Sequence, residues 1–74
     1  MSGSVLSRSP WVLRLRVGWY MREGTPILVQ AADVPVPAPP VAAKVTLCRP
    51  MGVVYEVGCQ FIERPPAATL ITFA

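Results

Sequence analysis

The sequence predicts an all-β fold in a single domain, residues 1–74, on three observations. The chain is 53% hydrophobic and 15% charged, rich in valine and poor in lysine and glutamate, a composition that suits strands better than helices. Nine prolines divide it into short pieces. Within those pieces apolar and polar residues alternate at period two, the spacing of a half-buried strand. A chain of this length buries only about 60% of the surface that its unfolded form exposes, so stability is modest.

The first patterned element is "WVLRLRV", residues 11–17. In an extended chain Trp11, Leu13, Leu15 and Val17 fall on one side and Val12, Arg14 and Arg16 on the other. Arg8, Arg14, Arg16 and Arg22 all precede the first acid, Glu23, so the first third is the electropositive part of a chain of net charge +3. The same stretch has the serine- and arginine-rich, acid-free composition of a transit peptide, but the alternation favours a strand with a solvated basic face. Trp11 is expected in the core, whereas Trp19 and Tyr20 fall in a connection where they could stack on a ligand.

Residues 26–31 read as a second strand, with Ile27, Val29 and Ala31 on one face and Leu28 and Gln30 on the other. Glu23-Gly24 supplies a turn, so 11–17 and 26–31 are expected to pair as a hairpin. Residues 33–40 hold Pro35, Pro37, Pro39 and Pro40 and are read as a loop with polyproline character.

A second hairpin is expected from "AAKVTLCRPMGVVYEVGCQF". Placing Arg49 opposite Val53 leaves the three-residue loop Pro50-Met51-Gly52, proline at the first corner and glycine in the left-handed conformation. That register faces Leu47 with Tyr55, Val45 with Val57, Ala43 with Cys59 and Val41 with Phe61 on the inner side. Lys44, Thr46, Glu56 and Gln60 go outward, and Cys48 with them. The two cysteines then lie too far apart for a disulfide and, with no histidine in the chain, make no metal site. Free thiols suit a reducing compartment, and a cytoplasmic location is expected. Past Phe61, Pro65-Pro66 stops the strand, and "TLITF" ends the chain as a short strand or a helical turn.

Catalysis is not expected. Histidine is absent, no Gly-rich phosphate loop occurs, and Glu23, Glu56 and Glu63 are assigned to turns or a solvent face. No apolar run approaches the ~20 residues of a membrane helix. The binding candidates are Ser7 and Arg8, a hydroxyl beside a planar donor fork, with Arg14 and Arg16.

"AAKVTLCRP" followed by "YEVGCQFIE", with "VLSRSPWVLRLRV" and "REGTPILVQ" upstream, resembles the PilZ domain, a small bacterial β-barrel known as a receptor for cyclic di-GMP. The resemblance spans nearly the whole chain, and "YEVGCQF" is its most specific part. It implies a small antiparallel PilZ-like β-barrel, complete or short of one strand, and cyclic di-GMP as ligand at Ser7, Arg8, Arg14 and Arg16. Ser7 matches the serine of the family's ligand motif. Val5 stands where the family has Asp or Asn, and Pro10 where it has Gly. The family's arginine motif has no counterpart. Two other functions are therefore carried alongside: a degenerate PilZ-like module that binds protein or dimerises through an exposed sheet edge, and a small basic barrel binding single-stranded nucleic acid through arginine and Trp19/Tyr20, the less favoured of the two.

Overall fold

The computed structural model describes residues 3–32, 34 and 39–73. It contains five strands, β1 (Gly3–Arg8), β2 (Val12–Val17), β3 (Pro26–Val29), β4 (Val41–Met51) and β5 (Val54–Phe61). A helical turn α1 (Ala67–Leu70) follows and tightens into a 3-10 turn, Ile71–Phe73. The strands form one sheet in the order β1-β2-β5-β4-β3, every neighbouring pair antiparallel. The sheet curls into a half-barrel, an all-β fold with the C-terminal helical turn packed on its core.

Period two holds where it was read. In β2, Leu13 and Val17 are buried while Val12, Arg14 and Arg16 are exposed. Leu13, Ala43, Val45, Val57, Cys59 and Phe61 build the inner face, and Leu70 and Phe73 cover it from the helical turn. The Phe61 and Phe73 rings stack with centroids 6.4 Å apart. Pro66 precedes α1, and its carbonyl accepts the Thr69 and Leu70 amides, so the double proline stops the sheet and starts the turn.

Three expectations about pairing are corrected. First, β2 and β3 are not a hairpin: β2 lies between β1 and β5, and β3 pairs with β4. The connection between them is tied to β4 instead. Gly24 takes a positive φ of 88°, its N–H donates to the Val45 carbonyl at 2.7 Å, and the Val45 N–H donates to Thr25 at 2.9 Å. Trp19 and Met21 pack on the core along the way.

Second, residues 3–8, to which the sequence pattern assigns no element, form the edge strand β1. Its hairpin with β2 closes at Ser9, whose N–H donates to the Val12 carbonyl at 2.8 Å and whose hydroxyl accepts the Val12 N–H at 3.1 Å. That leaves Trp11 at the corner, 50% exposed rather than in the core. Trp11 still contributes through its backbone, its carbonyl accepting the Phe61 N–H.

Third, the β4–β5 register differs. Met51 pairs with Val54, so the loop is the two residues Gly52-Val53, with Gly52 at φ 69°. A positive φ at the first loop residue is the mark of the primed turns whose twist matches the strands. Pro50 is a strand residue opposite Tyr55, at a rung where its nitrogen points away from β5 and no ladder bond is lost.

A bulge at Thr46 then sets Leu47 opposite Gly58, Val45 opposite Cys59 and Ala43 opposite Phe61. Beyond the bulge the slip is two residues, so Ala43, Val45, Val57, Cys59 and Phe61 keep the inner side assigned to them. Before it the sides invert. Cys48 turns inward opposite Val57 and packs on the core, while Leu47 sits over Gly58 on the outer side. Both cysteines are free and both face the interior, Cys48 accepting the Met21 N–H at 3.4 Å. Within the proline-rich loop, residues 33 and 35–38 lie outside the described residues. Residues 34, 39 and 40 belong to no regular element.

Candidate ligand surface

The outer face of β1, β2, β5 and β4 collects the basic side chains. Directly paired residues of antiparallel strands share a side, so the register assigns each one. Arg14 is flanked by Ser7 on β1 and Gly58 on β5; Arg16 is flanked by Ser4 and Glu56. Arg49 on β4 faces Glu56 from the other edge of β5.

Glu56 is the centre of this face. Expected in solvent, it is 5% exposed, because two guanidinium groups cover it. Arg14 Nη1 donates to Oε2 at 3.2 Å and Arg49 Nη2 donates to Oε1 at 2.9 Å. Arg14 reaches diagonally, across the side-chain gap left by Gly58. The two arginine side chains remain 51% and 58% exposed, so most of their donors point to solvent. Arg16 and Lys44 are also exposed and make no ion pair among the described residues. Arg14, Arg16 and Arg49 surround Glu56, and Lys44 lies further along the same face beside Gln60, so the described charges of this face sum to a positive potential that attracts anions.

Of the four residues expected to bind a ligand, Ser7, Arg14 and Arg16 stand together on this face. Arg8 does not. It pairs with Leu13, whose side chain is inside, and therefore leaves β1 on the opposite side. A bulge between Val5 and Ser7 also breaks the alternation of β1, so Val5 faces inward with Leu15 while Ser7 faces out with Arg14. Arg49 and Glu56 were missed as site residues because their proximity depends on the hairpin register.

The stacking candidates are in other company. Trp19 is half-buried against the core, and the Tyr20 ring meets Tyr55 edge-on at 5.9 Å between centroids. Cys59 is fully buried, and burial pushes its thiol up to about 11, so at neutral pH it is a protonated core residue. Among the described residues no three His, Cys, Asp or Glu side chains cluster to hold a metal ion. No described helix is long and apolar enough to cross a membrane.

On its concave side the half-barrel holds a groove of about 760 Å³ between the two edge strands. Val5, Leu15, Trp19, Ile27, Val29 and Phe73 are among its walls, and among the described residues no charged one lines it. No family model, curated protein or solved structure matches the chain.

Proposed function

We propose that the protein is a small PilZ-like regulatory module of bacterial signalling that binds a phosphorylated ligand on the outer face of β1 and β2, with cyclic di-GMP as the ligand. The observation that carries this reading is the cross-strand placement of Ser7 beside Arg14, with Arg16 one rung along on the same side. Guanidinium forks hold phosphate oxygens in pairs, and a serine hydroxyl can donate a third bond. Arg49 extends the surface onto β4, oriented by Glu56. Two free thiols support a reducing compartment, in keeping with a cytoplasmic receptor.

Titration calorimetry with cyclic di-GMP tests the reading. Saturable heat is expected from the native chain, and Arg14→Ala or Arg16→Ala should weaken affinity by about tenfold to a hundredfold, the worth of one charge-assisted hydrogen bond. No heat at millimolar ligand overturns it. If single-stranded oligonucleotide binds instead, with affinity falling steeply as salt is added, the surface serves nucleic acid.

A further inference from the structure

We infer that the groove between β1 and β3 receives one extended strand from a partner polypeptide, which completes a six-stranded barrel with apolar side chains inward and acidic ones outward. The direction of the strands is the first ground. Every pairing in the β1-β2-β5-β4-β3 sheet is antiparallel, and five strands is an odd number, so the two edge strands run the same way. They cannot close on each other by an antiparallel pairing. One strand running opposite to both pairs antiparallel with each.

Backbone chemistry is the second ground. Each edge strand, six residues in β1 and four in β3, turns the backbone N–H and C=O groups of alternate residues away from its neighbour toward the groove, Pro26 offering only a carbonyl. A lipid tail or other apolar small molecule satisfies none of them. A peptide strand satisfies both rows, which is how strand addition obtains its affinity.

The walls specify the occupant's two faces. Leu15, Trp19, Ile27 and Val29 lie against the core yet remain half-exposed, and the groove between them has the volume of a ligand pocket. Among the described residues no charged side chain lines it, which favours apolar side chains at the inward positions of the occupant. Its outward positions lie beside β1, one strand from Arg14 and Arg16, and beside β3, one strand from Lys44. These cations favour carboxylates there.

The probe is the capped hexapeptide Glu-Val-Glu-Ile-Glu-Val, added to the Trp11→Phe chain so that Trp19 alone reports. A saturable blue shift of Trp19 emission is expected. A peptide with lysine replacing each glutamate should bind at least about tenfold more weakly, because like charges then meet. A peptide N-methylated at alternate residues should lose binding, since it keeps the side chains and removes the ladder donors.

Equal binding of the methylated and parent peptides overturns strand pairing. So does a Trp19 shift produced by decanoic acid but not by the peptide, which would make the groove a site for apolar small molecules. A dimer in sedimentation that excess peptide fails to dissociate means that a second copy occupies the edges, and it overturns the proposal as well. Because the peptide pairs with backbone in the groove and the nucleotide is held on the outer face, the methylated peptide reads the edge strands and calorimetry with cyclic di-GMP reads the outer face, so that either can fail alone.

Discussion

Arg14 and Arg49 approach one carboxylate from opposite sides, across the two strands that flank β5, and together they cover Glu56. Neither guanidinium is buried, so each pair alone is worth little: Arg14→Ala or Arg49→Ala should cost about 0.5–1 kcal/mol. Removing both strips a carboxylate that the sheet holds away from water. The double variant should exceed the sum of the singles by a further 0.5–3 kcal/mol or so. Urea midpoints of the four proteins in the cycle measure this, and strict additivity would show that the carboxylate is not shared.

The same geometry links stability to binding. Glu56→Gln leaves one uncharged acceptor where two ion pairs stood, and should lower stability by about 1–2 kcal/mol. It also frees two guanidinium groups toward the outer face. Affinity for an anionic ligand should therefore rise while the denaturation midpoint falls, and calorimetry beside urea unfolding reads the two together. A parallel loss of both would show that Glu56 orients the arginines more than it competes for them.

Gly52 is the next test. Its φ of 69° lies in the left-handed region, and a Cβ there meets nothing within 4 Å, so any cost comes from the backbone and not from crowding. Gly52→Val should cost about 1–3 kcal/mol. Met51→Ala, on a 46% exposed side chain, should stay within about 0.5 kcal/mol. Equal midpoint shifts would contradict the two-residue turn.

Cys59 gives a pH dependence of known sign. Its thiol titrates near 9.0 when unfolded and near 11 when folded, because burial opposes the thiolate. Between those values the unfolded chain has lost the proton that the folded chain keeps, so folding stability falls as pH rises through that window. The loss is on the order of 1–3 kcal/mol, and Cys59→Ala should flatten it relative to the native chain. With a disulfide reagent at pH 8, Cys48 should react well before Cys59, whose labelling waits on unfolding.

How much of this was legible depends on the range of the interaction that decides it. The alternation of β2 is a property of adjacent residues, and it put Leu13 and Val17 inside and Arg14 and Arg16 outside. Which strands lie beside β2 is decided far along the chain, by the docking of Gly24 and Thr25 on Val45. Residues 3–8 alternate poorly because β1 is an exposed edge with one half-buried residue, Val5. Pro50 and Gly52 were both recognised as turn residues. Only one is: Pro50 is tolerated in β4 because its nitrogen faces the side that β3, paired with residues 41–44 only, does not reach. Ser7, Arg14 and Arg16 could be grouped from local pattern alone. Arg8 went with them in sequence and departs in space, and Glu56 could be found only once the rung joining it to Arg49 was known.

The bulge at Thr46 has a consequence for how the chain tolerates length changes. It acts as a frame shift written into the strand: residues before it are read in one phase against β3 and β5, and residues after it in the other. Deleting Thr46 would remove the shift and force one half of β4 to be misread. Either the hairpin keeps its turn and Ala43, Val45 and Lys44 exchange inside for outside, or the core keeps its phase and Arg49 is driven inward while Cys48 is turned out. A one-residue deletion at that site should therefore abolish folding, while a one-residue insertion beside Val53 in the turn should be absorbed by the loop. Residue count is thus enforced in the middle of β4 far more strictly than at its end.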